Sequence, residues 1–220
     1  MRNRDRNEDR DVERGVFLQV KPTIVSEQKK SVLQIRPARK EDVDQIIPLL
    51  VQAIGDIAYA LAGEADHERA MDILREFVTQ ENNRISYQNI TVMEQEGQIA
   101  GMLVAYAGDD VDRLDQPLLN RPGRDGDEKY ALVKETRPEE YYLDTLSVSE
   151  PFQGQGIGRA LMAAFEQQGR ELGHMRVALI VEQDNGRAMQ LYERQGYVQD
   201  EVILIGGHEY YHMVKEISVL

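Results

Sequence analysis

Gln153-Gly154-Gln155-Gly156-Ile157-Gly158 decides how this chain is read. Upstream lies Tyr141-Tyr142-Leu143-Asp144-Thr145-Leu146-Ser147-Val148, an apolar, β-favouring segment. Downstream lies Arg159-Ala160-Leu161-Met162-Ala163-Ala164-Phe165, whose spacing predicts a helix. A strand therefore passes through a glycine-rich turn into a helix N-terminus. Several backbone N–H groups then point at one spot, with the positive end of the helix dipole behind them. A phosphate or pyrophosphate suits such a spot, and the glycines let the backbone approach it closely.

Spacing separates the nucleotide motifs. A P-loop needs a Lys-Ser/Thr pair after its last glycine, and Gly158 is followed by Arg159-Ala160. The dinucleotide fingerprint G-x-G-x-x-G can begin at Gly154 and Gly156, but its third glycine falls on Arg159. What remains is Gln153-x-x-Gly156-x-Gly158. This pattern closely resembles the pyrophosphate loop of the GNAT superfamily of acyl-CoA-dependent N-acyltransferases. A second match, about thirty residues further on, makes the pair specific. In residues 181–197 a strand ends, Asn185 opens a helix, Leu191-Tyr192 follows, and the helix stops at Gly196-Tyr197. A weaker third match, Leu33-Gln34-Ile35-Arg36-Pro37-Ala38-Arg39-Lys40-Glu41-Asp42, resembles the family's first strand and the entry to its first helix. Together the matches cover most of residues 32–216.

The resemblance implies a mixed α/β (α+β) domain. Its central sheet is mixed, mostly antiparallel, with about seven strands splayed between strands 4 and 5 and about four flanking helices. It also implies acetyl-CoA as cosubstrate, a primary amine as acceptor, direct transfer in a ternary complex, and no metal. The pantetheine arm would pair with backbone groups of Leu146, Ser147 and Val148. The pyrophosphate would be held by Gln153, Gly154, Gln155, Gly156, Ile157, Gly158 and Arg159. The Arg159 side chain either adds charge-assisted hydrogen bonds or is an ordinary exposed helix arginine.

Acyl transfer to an amine needs a neutral amine, donors for the oxyanion and a proton for the leaving thiolate. Tyr192 matches the family tyrosine that serves as the acid, and an unshifted phenol is protonated at neutral pH. Asn185 looks like the family asparagine that contacts the pantetheine arm or a site water; it also suits a helix N-cap. Leu146 N–H is the expected oxyanion donor. For the base, alternation places Glu140, Tyr142, Asp144, Leu146 and Val148 on one strand face. Glu140 matches the glutamate base of some histone-modifying relatives. Asp144 is preferred, because a carboxylate among apolar neighbours has a raised pKa. It reads equally as an acid that grips a cationic acceptor. Ordered water is a further alternative, and Glu182 a third carboxylate that also reads as a solvated strand end.

The chain has 220 residues and a net charge of −13. Length predicts one domain, residues 31–220, preceded by a charged, disordered or loosely attached arm over residues 1–30. Within the arm, Val16-Phe17-Leu18-Gln19-Val20 could add an edge strand. The charge argues against a nucleic-acid surface and is compatible with a cationic acceptor, although solubility explains it as well. No run is apolar enough to span a bilayer, and the first residues lack a signal-peptide core, so the expectation is a cytoplasmic protein. With no cysteine, a cysteine-acyl intermediate and thiolate metal sites are excluded. The family's frequent dimers leave a homodimer open.

Helical spacing covers residues 42–54, with Pro48 expected to kink or split the helix, and residues 67–80. Residues 90–94 and 98–106 predict a hairpin turned at Glu96-Gly97. Residues 108–138 form an acidic excursion that either borders the acceptor pocket or is a plain surface loop. A helix from the glycine turn ends at Gly173, a strand covers 175–181, a helix 188–195, and two strands near 197–204 and 209–217 close the domain.

Two rival functions stand against acetyl transfer. One is a non-catalytic acyl-CoA-binding regulatory module on the same fold; Tyr192 and Asn185 beside a full loop argue against it. The other is a zinc metallopeptidase, because His208-Glu209-Tyr210-Tyr211-His212 fits H-E-x-x-H. Zinc needs both histidines one helical turn apart. Gly206-Gly207 and the β-like residues that follow favour a strand, in which the histidines lie about 13 Å apart. His67 and His174 have no partner pattern.

Overall fold

A computed structural model describes residues 33–126, 131–205 and 207–218. The expected arm over residues 1–30, including the edge strand at 16–20, lies outside them. Seven strands form one sheet in the order β1-β2-β3-β4-β5-β7-β6. They are β1 (Gln34–Pro37), β2 (Ile90–Gln95), β3 (Gln98–Ala107), β4 (Glu140–Val148), β5 (Arg176–Glu182), β6 (Val198–Ile205) and β7 (His208–Glu216). Every pairing is antiparallel except β4 with β5.

Among the described residues there are six α-helices rather than about four: α1 (Val43–Ile54), α2 (Ile57–Ala62), α3 (His67–Thr79), α4 (Val111–Leu119), α5 (Ile157–Glu171) and α6 (Gly186–Arg194). Each apolar stripe is buried on one side of the sheet. Ile46, Leu50, Leu74, Val111 and Leu118 from α1, α3 and α4 pack with Val92, Met102, Val104 and Tyr142. On the opposite side Leu161, Met162 and Phe165 of α5 and Tyr192 of α6 pack with Leu103, Leu143, Val177 and Leu179.

Two expectations are corrected here. Pro48 does not split the first helix into two; α1 runs through it, with Pro48 in its second turn and facing outward. The break comes at Gly55, which has φ +52° and closes α1. The excursion is not a plain loop, because α4 buries Val111, Leu114 and Leu118. Its helical spacing, i, i+3, i+7, was masked by the aspartates between.

Candidate active site

The site forms where the sheet opens. Strands β4 and β5 pair only through Glu140–Arg176, Tyr141–Val177, Tyr142–Ala178 and Leu143–Leu179. Beyond Leu143, β4 continues beside β3 alone, while β5 continues beside β7 alone. The two strands therefore bound a gap with unpaired backbone edges.

A β-bulge sits at the mouth of this gap. Val104 pairs with Thr145 and Ala105 with Leu143, so Asp144 is the extra residue of β4. The bulge breaks the simple alternation expected from sequence. Tyr141 and Leu143 face α5, and after the bulge so do Leu146 and Val148; Tyr142 packs on the opposite side. Ser149 N–H bonds to Ala100 O of β3 at 2.9 Å. Alternation of backbone polar groups then turns those of Leu146 and Val148 toward the gap. The Val148 carbonyl accordingly meets side-chain amides rather than β3: Gln52 Nε2 at 3.2 Å and Gln153 Nε2 at 3.4 Å.

At the far end of β4 the chain makes a short 3-10 turn, Glu150–Phe152, and enters the glycine segment. Gly154 and Gly156 have φ +76° and +83°, and nothing lies within 4 Å of where a Cβ would stand on either. Gly156 is the N-cap of α5 and its carbonyl accepts from Ala160 N at 3.0 Å. The first N–H groups of α5 have no carbonyl within their own helix and point out over the glycines. Gln155 Nε2 ties back to Pro151 O at 3.2 Å. Arg159 is exposed on the first turn of α5. Gly101, overlooked in the sequence, lets this helix end sit against β3; a Cβ there would stand 2.9 Å from Ser147 O and 3.0 Å from Ile157.

Tyr192 projects from α6 into the cluster that holds Leu143, Leu179 and Val181, at the α5 side of the gap. It is 9% exposed and lies edge-on to Tyr197, with ring centroids 6.1 Å apart. Burial pushes its pKa up to about 12, so the phenol keeps its proton across the neutral range. Asn185 caps α6, its Oδ1 accepting from Ala188 N at 3.1 Å.

The carboxylates are placed differently from expectation. Asp144 does not sit among apolar neighbours. Its Oδ2 accepts from Arg84 Nε at 2.7 Å and Tyr106 OH at 2.6 Å, and its Oδ1 accepts from Thr145 Oγ1 at 2.9 Å. Glu140 is fully buried. It accepts from Arg137 N at 2.8 Å and lies 3.3 Å from His212 Nε2. Burial works against its ionisation, but these hydrogen bonds win and hold its pKa below the usual carboxylate range. Glu182 lies at the end of β5, 3.1 Å from His208 Nδ1.

The H-E-x-x-H match lies on strand β7, not on a helix. His208 is exposed and meets Glu182, whereas His212 is buried between Asp200 Oδ1, 2.6 Å from Nδ1, and Glu140. The two histidines serve separate partners, which removes the zinc-peptidase reading. Among the described residues no helix is long and apolar enough to cross a membrane.

Sequence reasoning missed Arg84. It is 4% exposed, lies beside three carboxylates, and bonds directly to the bulge residue. The only local signal was one arginine in the otherwise uncharged run Asn82-Asn83-Arg84-Ile85-Ser86.

Comparison with known proteins agrees with this geometry. The pattern of the Acetyltransferase (GNAT) family matches residues 51–197. A solved structure described as an acetyltransferase superposes with TM-score 0.72 at 35% identity, covering 84% of this chain and 100% of that one. An N-acetyltransferase from Staphylococcus aureus Mu50 superposes with TM-score 0.71 at 26% identity, covering 83% of this chain and 100% of that one. The mycothiol acetyltransferase of Geodermatophilus obscurus is 34% identical over 103 residues, 47% of this chain and 30% of that protein. The chain thus spans less than a third of this curated relative. A sheet opened at its one parallel pair, a glycine loop leading into the following helix, and a match over more than half of the sequence give one conclusion: this chain belongs to the GNAT acetyltransferase family.

Proposed function

We propose that the protein transfers an acetyl group from acetyl-CoA to a primary amine, directly and within a ternary complex. The observation that carries this reading is the end of the β4–β5 ladder at Leu143 and Leu179, with the glycine cradle at the far end of the same strand. The cradle would take the diphosphate, residues 146–148 the pantetheine, and the gap would deliver the thioester to the acceptor side of the sheet.

The N–H of Leu146 is assigned as the donor to the developing oxyanion. The amine nitrogen attacks the thioester carbon, a C–N bond forms, and the C–S bond breaks. The departing thiolate takes a proton from Tyr192, whose raised pKa keeps it protonated until then, and the phenolate regains a proton from solvent. The ammonium proton of the attacking amine leaves to solvent. Asp144 and Glu140, the candidate carboxylates on β4, already accept two or more hydrogen bonds from neighbouring groups. The absence of cysteine means that no cysteine-acyl enzyme forms.

An acceptor screen with acetyl-CoA, read as release of free thiol, tests the reading. Transfer to at least one amine class is expected. Tight coenzyme A binding with no release across small amines, amino acids and peptides would replace it with the regulatory-module reading.

A further inference from the structure

We propose that Arg84 is a positioning residue for acetyl transfer: it locks the Asp144 bulge and so determines which backbone groups of β4 face the gap. This inference rests on the acetyl-transfer reading above.

The loop between α3 and β2 is built to bury this one cation. Asn83, Arg84, Ile85 and Ser86 are all buried. Asn83 Nδ2 donates to Phe77 O at 2.8 Å, and its Oδ1 accepts from Ile85 N at 3.1 Å. Arg84 N–H donates to Leu114 O at 3.1 Å, and the Arg84 carbonyl accepts from Asn89 Nδ2 at 3.1 Å. The backbone on both sides of the arginine is therefore fixed before its side chain is considered.

The guanidinium then gathers groups from several elements. Its Nε donates to Asp144 on β4 at 2.7 Å. Its Nη2 lies 3.5 Å from Glu135, and its Nη1 lies 3.8 Å from Asp115 on α4. The ring of Tyr106 on β3 lies beneath it, 5.9 Å from its carbon to the centroid. Two phenols complete the cluster: Tyr106 OH donates to Asp144, and Tyr142 OH donates to Glu135 at 2.7 Å. One cation thus opposes three largely buried carboxylates. Removing it leaves like charges facing one another out of water, which such groups escape by protonating or rotating away.

Asp144 is the residue that would move, and it is the residue that makes the bulge. A bulge is worth one residue of register. Everything C-terminal to it changes face if it slips. Leu146 and Val148 would then turn their polar groups toward β3, and the gap would lose its donors. The glycine cradle lies beyond the end of β4 and depends on α5, so it would persist.

This separation gives a measurable split. In Arg84→Met, kcat for thiol release is expected to fall about 10²-fold, the loss typical of one oxyanion donor. The dissociation constant of coenzyme A, by calorimetry, should change by less than about threefold, with full stoichiometry. Arg84→Lys, which retains the charge but not the fork, should recover part of the rate. The double variant Arg84→Lys/Asp144→Asn should be no slower than the slower single variant, because both act through one bond. An unchanged kcat in protein that binds coenzyme A fully, or strictly additive losses in the pair, would overturn the proposal. So would a rate loss matched by an equal loss of binding stoichiometry, which marks a purely structural role. If Arg84→Met does not fold, the Lys and Asn variants carry the test. Amide hydrogen exchange at Thr145 and Ser147, whose N–H groups alternation turns toward β3, gives a readout that needs no activity. Faster exchange confined to those amides in Arg84→Lys supports the lock, and unchanged exchange rejects it. Wild-type protein that releases no thiol would count against acetyl transfer, while this exchange result would still judge the lock.

Discussion

At Gly156 the backbone turns at φ +83°, with open space where a side chain would begin. Replacing it with valine therefore strains the chain through its dihedral and not through a clash, at a cost of about 1–2 kcal/mol. The same change places a β-branched side chain where the diphosphate is proposed to rest. Coenzyme A affinity is expected to fall by more than about tenfold, beyond what lost stability explains. Unchanged affinity by calorimetry would contradict the cradle. Tyr192 is a different case, buried and with its pKa pushed up to about 12. Tyr192→Phe should slow turnover by about 10²-fold while coenzyme A binding stays within a few-fold. An unaltered rate would remove its acid role. Both residues were legible in the sequence because their signals are local: a glycine spacing and a Leu-Tyr pair after Asn185. Arg84 was not legible, since Asp115, Glu135 and Asp144 lie 31, 51 and 60 positions away from it.

Between elements, His212 joins three strands. It stands on β7 with Asp200 of β6 at Nδ1 and Glu140 of β4 at Nε2. Burial opposes its charge, but hydrogen bonds to Glu140 and Asp200 outweigh this and raise its pKa above the ordinary value. Both carboxylates are shifted downward despite their own burial, through hydrogen bonds that include His212. The signs set a window. The raised histidine contributes stability that is fully present below about pH 6.5 and lost as pH rises through its folded pKa. The lowered carboxylates contribute stability present above about pH 4 and lost as pH falls through theirs. Thermal melts of wild type and His212→Gln should differ most near pH 5–6, and the difference should shrink toward pH 9. A constant difference across that range would show that His212 is not charged in the folded protein. A second element contact concerns α5 and β3. Gly101→Ala places a methyl group 2.9 Å from Ser147 O and is expected to destabilise the fold by about 1–3 kcal/mol in denaturant titrations. At this scale sequence periodicity placed strands and helices well wherever the apolar pattern was unbroken. It misplaced the break near Pro48 and hid α4, because a glycine at positive φ and a stripe diluted by aspartates leave weak periodic signals.

Across the whole molecule, the sheet is two antiparallel groups, β1-β2-β3-β4 and β5-β7-β6, joined by one parallel contact of four residue pairs. A ligand bound in the gap would link the two groups. Binding to the folded state alone stabilises it by mass action, about 2.7 kcal/mol at a hundred times the dissociation constant. For a chain of this size that corresponds to a rise in Tm of about 5–10 °C with coenzyme A. No shift at saturating coenzyme would reject the gap as its site. The family and the glycine turn were determined by the sequence itself, because short-range spacing alone makes a strand, a glycine turn and a helix start. The absence of cysteine likewise excluded a chemistry without any structure. Only the tertiary structure decided that β4 parts from β5 after Leu143 and that Asp144 is a bulge. It alone brought a buried arginine from a distant loop to that bulge. Pairing length, register and ion-pair partners depend on segments far apart in the chain, and those meet only when the sheet closes around its core.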